Sequence, residues 1–376
     1  MGPLSGVKII ELAGIGPSPY ACMLLADLGA DILRLERGNP DADGAPTADI
    51  LNRSRHSVAV DLKNPAGKQL VLDLLKDADV LIEGFRPGVT ERLGLGPDDV
   101  WAVNPAVVYG RMTGFGQEGP LSQRAGHDIN YIATSGALWP MGRAGQKPYP
   151  PINLVGDFGG GALFLALGVV SAVLSARQSG EGQVVDVAMV DGSASLMSMT
   201  YSFMNMGFWE EERGTNLLDT GAHFYEVYET SDGKYMAVGA IEPKFYLELL
   251  KGLALDPATL PAQMDRTQWG AMKERFATIF ATKTRDEWTA IFEDVDACTT
   301  PVLSPSEAVT HPYNASRNVF TDGANPAPNP APRFSKTPAV IRQEPQKSGA
   351  GTREGLRSWG LTDGQIEELA AAGAFG

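Results

Sequence analysis

Cysteine is nearly absent from this chain: Cys22 and Cys298 are the two in 376 residues. That excludes a disulfide framework and favours a reducing, cytoplasmic setting. Cys22 falls in an apolar helical run and reads as core. Cys298, in Asp-Ala-Cys-Thr-Thr-Pro, is weighed as a thiol beside a pocket and set aside. Positive charge is also in short supply, since 31 Lys and Arg against 45 Asp and Glu leave a formal charge of −14. The basic face that nucleic acid requires is therefore not expected, and an anionic small molecule must be met by a local cluster of arginines. The amino terminus shows no basic-then-apolar signal pattern. Long apolar runs are lacking except over Gly159 to Ala176, which is free of charge but diluted by glycines and serines. It barely reaches the roughly 18 residues that suggest a span, so a buried helix is expected, with no membrane partner.

What is abundant is alternation. Val7–Leu12 reads as a strand, Pro19–Ala30 as a helix and Ile32–Glu36 as a second strand. Ala66–Ala78 reads as a helix with Leu70, Leu74 and Leu75 on its apolar face, then come strands Asp79–Phe85 and Val107–Met112. Strands alternating with helices imply a Rossmann-like α/β fold with a doubly wound parallel sheet. A long helix is expected from Asp157 to Gly180, a strand over Gln183–Met189, and one helix over Asp191–Met206 whose methionines read as core filler. The rhythm then changes. Phe224–Thr230 and Tyr235–Ala240 read as a hairpin turned by Asp232-Gly233, followed by helices over Pro243–Leu253, Trp269–Ala281 and Arg285–Phe292. This block predicts a smaller α+β domain. The expected boundaries are 1–190 for the large domain, 191–220 for a linker helix, 221–310 for the small domain and 311–324 for a return linker. Residues 325–376 then complete the large domain. The proline-rich Asn325–Pro332 must run extended, and Thr362 to Ala372 reads as a terminal helix.

Gly14-Ile-Gly16 after the first strand, with Glu36 about 20 residues on, imitates a dinucleotide fingerprint. The third glycine position is Pro19, and Pro17 removes a backbone donor where phosphate would need one. Rossmann topology without the Rossmann ligand is the expectation.

Four histidines limit the search for a base near neutral pH. His56 follows Arg53 and Arg55, and this neighbouring positive charge disfavours its charged form. His223 reads as a packed ring before the hairpin, and His311 lies in a loop before Pro312. His127, in Gly126-His-Asp-Ile-Asn-Tyr131, stands at a turn into a helix and is the candidate base. Asp157, in Gly156-Asp-Phe-Gly-Gly-Gly161, is the second candidate. Aspartate is a favoured helix N-cap, yet three glycines just inside a helix cost about 1 kcal/mol each relative to alanine. They imply that something approaches the backbone closely, and a helix N-terminus there would suit an oxyanion. A proton beside a thioester carbonyl needs a positioned base and stabilisation of the developing charge. Inverting that carbon needs a second acid on its other face, so one His and one Asp on separate segments form such a pair. Arg34, Arg37, Arg53, Arg55 and Arg86 lie at strand ends or nearby loops, where a phosphate-rich ligand could be held.

These stretches carry a resemblance. Leu4-Ser-Gly-Val-Lys-Ile-Ile-Glu-Leu-Ala-Gly14, Ala26-Asp-Leu-Gly-Ala-Asp31 and Asp79-Val-Leu-Ile-Glu-Gly-Phe-Arg-Pro-Gly88 resemble the family III CoA-transferase superfamily over residues 4 to 340. Within it, Gly126–Tyr131, Gly156–Gly161 and Gly239-Ala-Ile-Glu-Pro243 resemble the α-methylacyl-CoA racemases. The resemblance implies that His127 and Asp157 are catalytic and that Glu242 orients the histidine. It implies coenzyme A contacts from Arg37, Ser57, Val58, Ala59, Val60, Arg86, Gly126, Asp128, Ile129, Asn130 and Tyr131. His56 stands where the family usually carries Lys or Arg. Also implied is an interlocked homodimer, each active site lying between one large domain and the partner's small domain. No metal or redox cofactor is implied, coenzyme A being part of the substrate.

The leading expectation is racemisation at C2 of a 2-methyl-branched acyl-CoA by 1,1-proton transfer through an enolate-like intermediate. The alternative is a CoA-transferase moving CoA between carboxylic acids with Asp157 as nucleophile. A non-catalytic acyl-CoA binding protein is the third.

Overall fold

In the computed structural model, which describes residues 2–39, 41–42 and 47–375, the chain divides into two compact units. One comprises Met1–Ser135, Ile152–Leu196 and Phe320–Gly376, the other Gly136–Pro151 and Met197–Val319.

The first unit is built on strands β1 (Lys8–Leu12), β2 (Asp31–Glu36), β3 (His56–Ala59), β4 (Val80–Glu83), β5 (Val108–Thr113) and β6 (Val184–Ala188). They form one parallel sheet in the order β3-β2-β1-β4-β5-β6. Successive side chains of a strand point to opposite faces, and here both faces are apolar. Ile9, Ile32, Val80, Ile82 and Val108 face one core, while Ile10, Leu33, Leu81 and Tyr109 face the other. Covering both faces is what an all-parallel sheet requires. At roughly 1.5–3 kcal/mol for each fully buried aliphatic side chain, these two layers dominate the stability of the unit.

Helix α1 (Pro17–Asp27) packs on the first face and α2 (Pro65–Leu75) on the second. Proline at the start of each replaces an amide that has no intrahelical partner. The shorter α3 (Val89–Leu93), α4 (Pro97–Val103) and α5 (Asp128–Thr134) follow. The carboxyl-terminal segment closes the β3 edge: Ser57 N–H donates to Gln346 Oε1 (3.0 Å), Ala59 N–H to Thr352 Oγ1 (2.8 Å) and Asp61 N–H to the Ala374 carbonyl (2.8 Å). Strand β3 escaped the sequence pattern because it is four residues long and begins on a histidine after two arginines.

Two helical expectations change. The helix expected to open at Asp157 begins at Leu154, runs as a π-helix to Ala162 and continues as α6 (Leu163–Ser179). Asn153, not Asp157, holds the capping position. Nor is this helix buried all round. Leu165, Val169, Ala172, Val173 and Ala176 face the sheet, whereas Leu163, Leu167, Val170 and Leu174 are exposed. Leu154–Ser179 is long and apolar enough to cross a membrane, and 39% of an apolar 18-residue stretch within it is buried. The single helix expected over Asp191–Met206 is two, α7 (Met189–Leu196) and α8 (Ser198–Asn205), broken at Met197. Met199 and Met206 are more than half exposed and are not core filler.

In the second unit, β7 (Tyr225–Glu229) and β8 (Tyr235–Gly239) pair as the expected hairpin, with Gly233 at φ +70° in the turn. A short third strand, β9 (Thr299–Pro301), joins β8. Helices α9 (Pro243–Gly252), α10 (Trp269–Phe280) and α11 (Arg285–Phe292) enclose an aromatic core of Phe224, Tyr228, Phe276, Phe280, Trp288 and Phe292. His223 is a packed ring in it: Nε2 meets the Tyr246 hydroxyl at 2.8 Å, and burial pulls its pKa down to about 4, with Lys273 adding to the effect.

At the carboxyl end of β4 one carboxyl group is poorly matched. Glu83 is buried and accepts the Phe85 N–H at 2.6 Å. Its cation, Arg111 on β5, stands 3.6 Å away and bonds instead to Glu91 and Gln117. Burial therefore outweighs the Phe85 bond and Arg111, and raises the Glu83 carboxyl from 4.5 to about 7. Between those values the folded chain holds a proton that the unfolded chain has lost, so stability falls as pH rises through this window. Glu83→Gln removes that dependence. Urea denaturation should show wild type losing on the order of 2–3 kcal/mol relative to Glu83→Gln between pH 5 and pH 8. A difference that does not change with pH overturns the assignment.

Candidate active site

The order of the sheet reverses between β1 and β4, and open α/β sheets bind ligands outside the strand carboxyl ends at such a switch point. A cavity of about 480 Å³ lies there. Its walls come from the segments after β1 (Ile15–Ser18), β4 (Gly84–Pro87) and β5 (Gly114, Phe115), and from the run Ser122–His127 leading into α5. Asp157 and Tyr131 complete it. His127 and Asp157, proposed from sequence as a pair, thus share one cavity within one unit.

His127 occupies the N-cap position of α5 with an extended backbone, and its N–H donates to Asn130 Oδ1 at 3.0 Å. That bond satisfies one of the amides a helix start leaves over, and the imidazole stands exposed at the cavity wall. Asp157 sits one turn into the π-helical segment, half buried. Its Oδ2 accepts from Asn153 Nδ2 (3.2 Å), and its backbone N–H donates to Asp128 Oδ2 (2.7 Å). Burial raises the Asp157 carboxyl above its ordinary range. The Asn153 bond opposes this, the Asp128 charge adds to it, and His127 opposes it. Gly16, at φ +69°, lets the turn after β1 approach, since a Cβ there would stand 3.3 Å from Asp157 Oδ2.

The three glycines do mark a close approach, and the approaching group is the chain's own backbone. A Cβ on Gly160 would stand 2.6 Å from the Ser193 nitrogen on α7, and one on Gly161 would crowd Met189 and Pro17. No ligand is needed to explain them. The free helix terminus expected to hold an oxyanion at Asp157 is likewise not there, because the Asp157 N–H is already donated to Asp128.

Tyr131 braces the wall beside His127. Its hydroxyl donates to the Gly126 carbonyl and its ring meets Phe115 edge-on at 5.0 Å. A Cβ on Gly114 would overlap this ring, and one on Gly126 would stand 2.8 Å from it. Asp128 is buried, while Ile129 and Asn130 are exposed on α5 without lining the cavity.

The expected arginine cluster dissolves. Arg53 donates to Asp27 (2.6 Å) and to the Pro328 carbonyl (2.7 Å), Arg55 pairs with Glu11 where both are fully buried, and Arg34 pairs with Glu36. A buried charge persists only when paired, so these three cations are spent inside the fold. Arg37 is exposed but does not line the cavity, whereas Arg86 does. Arg124, which sequence reasoning missed, lines it too and is exposed. Its signal was the basic position three residues before His127 in a polar loop. Ser57, Val58, Ala59 and Val60 are buried in and after β3. Ser57 Oγ donates to Glu36 at 2.5 Å, and the three apolar side chains enter the core. Their side chains therefore do not face the cavity. Glu242 is exposed in the second unit at the N-cap position of α9.

Comparison with known proteins gives the family. The profile described as CoA-transferase family III matches residues 4–352. The chain is 48% identical to a mouse protein named alpha-methylacyl-CoA racemase over 97% of this chain and 96% of that one. It is 44% identical to the human protein of the same name, with the same coverage of each. Human succinyl-CoA:glutarate CoA-transferase is 28% identical over 99% of this chain and 89% of its own. In structure, a CAIB/BAIF family protein from Brucella suis superposes with a TM-score of 0.82 over 95% of this chain and 99% of that one, at 22% identity, a likeness of fold. On the match over nearly its whole length, the chain belongs to the CoA-transferase family III.

Proposed function

We propose that this chain racemises 2-methyl-branched acyl-CoA thioesters at C2. The observation that carries the reading is the meeting of His127 and Asp157 in one cavity at the switch point of the sheet. Identity to the two racemases supports it.

One carrier removes the C2 proton and the C–H electron pair passes into an enolate. The other carrier delivers a proton to the opposite face, and the electron pair returns to C2. With one enantiomer His127 begins neutral and Asp157 begins protonated; with the other the roles reverse. Burial favours the protonated form of Asp157, which suits a carboxyl that must sometimes act as the acid. Arg86 and Arg124 are the cations suited to the phosphates of coenzyme A, and Glu242 is the third carrier-associated residue in this reading. The chemistry asks for no metal or redox cofactor. Both cysteines are free thiols, which fits a cytoplasmic protein.

Incubating an enantiopure 2-methylacyl-CoA with the enzyme in deuterated water should yield both configurations with deuterium at C2. His127→Ala and Asp157→Ala should each lower kcat/KM by about 10²–10⁴-fold. Retained configuration without C2 deuterium rejects the reading. A CoA adduct trapped on Asp157 with a free acid present would replace it with CoA transfer.

The working form in this reading is a homodimer. Leu163 is 50% exposed, Leu167 65% and Leu174 62% on one side of α6, an apolar stripe of the kind that marks an interface. Sedimentation should give a dimer for wild type and a monomer for the double variant Leu167→Lys, Leu174→Lys. A monomeric wild type, or a variant of unchanged mass, removes the dimer from the proposal.

A further inference from the structure

We propose that Asp128 is a positioning residue that clamps the Asp157 segment to the His127 segment and thereby sets the spacing of the pair. This rests on the racemase reading, and it differs from the coenzyme A contact that family resemblance implied for Asp128.

The geometry is specific. Asp128 is 6% exposed, too buried to offer its carboxylate to a ligand surface. Oδ2 accepts the Asp157 backbone N–H at 2.7 Å, a charge-assisted bond across 29 residues of sequence. The bond exists because residue 156 is glycine: a Cβ there would stand 2.5 Å from Asp128 Oδ2 and 3.2 Å from the Asp128 carbonyl. Oδ1 is buried and has no hydrogen-bond partner among the described residues. Leaving a carboxylate oxygen so placed is costly, and an isosteric apolar side chain would avoid that cost while losing the clamp. Asp128 also follows His127 directly in the chain. The imidazole on the N-cap of α5 and the carboxyl on the π-helical segment are therefore joined through one side chain.

The same group acts on charge. A carboxylate beside Asp157 disfavours its ionised form. The other groups facing Asp157 are His127 and Tyr131 from α5 and Asn153 before the π-helical segment, with Arg86 and Arg124 on the cavity wall. From α1 the neighbour is Tyr20, stacked on Phe158 at 4.4 Å. Of these, Asp128 alone is both acidic and bonded to the Asp157 backbone among the described residues.

Two variants separate the roles. Asp128→Ala removes clamp and charge, and kcat should fall about 100-fold, the scale of an ångström-sized misplacement, with KM changed less than about twofold. Asp128→Asn keeps an acceptor for the Asp157 N–H and removes the charge. It should recover most of kcat while its acidic limb, for the enantiomer that Asp157 deprotonates, moves to lower pH. Carbon-13 NMR of Asp157, which needs no substrate, should show the same downward move in Asp128→Asn. If Asp128→Ala does not fold, Asp128→Asn decides alone. A raised KM with kcat intact, or an Asp157 titration identical in wild type and Asp128→Asn, overturns the proposal. If wild type exchanges no C2 proton, the reaction reading fails, while the NMR titration still decides whether Asp128 sets the Asp157 proton affinity.

Discussion

The packing of α7 against the π-helical segment is the constraint from which the cavity follows. Gly160 and Gly192 face each other with no room for a side chain on either, and Ser193 and Met189 press on the neighbouring glycines. Backbones this close fix the rotation of the Leu154–Ala162 segment. That rotation turns Asp157 toward the ends of β1 and β5 rather than into the core. A regular α-helix with ordinary side chains would keep α7 at the usual interaxial distance of about 8–10 Å, and the carboxyl would not reach the turn at Gly16. The local cost of three glycines in a helix is thus met by the contacts that their bareness allows.

Charge is handled with similar economy in a chain of formal charge −14. Most arginines near the strand ends are committed to carboxylates: Arg53 to the buried Asp27, Arg55 to the buried Glu11 and Arg111 to the exposed Glu91. Cations committed in this way hold loops in place but cannot meet a ligand. Arg86 and Arg124 remain exposed at the cavity. Burial raises the carboxyl of Glu83, which directly precedes the Gly84–Pro87 wall, to about 7. A chain of acidic balance can therefore still place two exposed arginines at one cavity.

How much of this was legible depended on range. Strands β1, β2, β4, β5 and β6 followed from apolar periodicity, because all but β6 are largely buried and read as short apolar runs, whereas β3 did not. The pairing of His127 with Asp157 was legible from residue chemistry and family resemblance. What failed were contacts set by residues far away in sequence. Nothing near Arg55 announces Glu11, and nothing near Asp157 announces that Asp128 takes its N–H. The glycine triplet signalled a close approach correctly, but the sequence does not say whether a ligand or another helix approaches. The π-helical start was likewise hidden, since propensity cannot distinguish a helix opening at Asp157 from one opening a turn earlier. Arg124 went unseen because an exposed arginine in a polar loop looks like ordinary solvated surface.

The proposed racemisation would make a demand on His127 and Asp157 that most acid–base pairs escape. The same pair must work in both directions, so each group is acid in one and base in the other. An ordinary imidazole and an ordinary aspartate differ by roughly 2.6 pK units, about 3.5 kcal/mol. A pair so mismatched would leave the proton resting on the imidazole and slow whichever direction needs it on the carboxyl. In this cavity the carboxyl is moved upward, first by burial and then by the Asp128 charge, while His127 stays exposed to solvent. Both influences raise the proton affinity of the aspartate. In the proposed reaction, the asymmetry between a half-buried carboxyl and an open imidazole is what would let two chemically different residues serve two directions that are nearly equivalent.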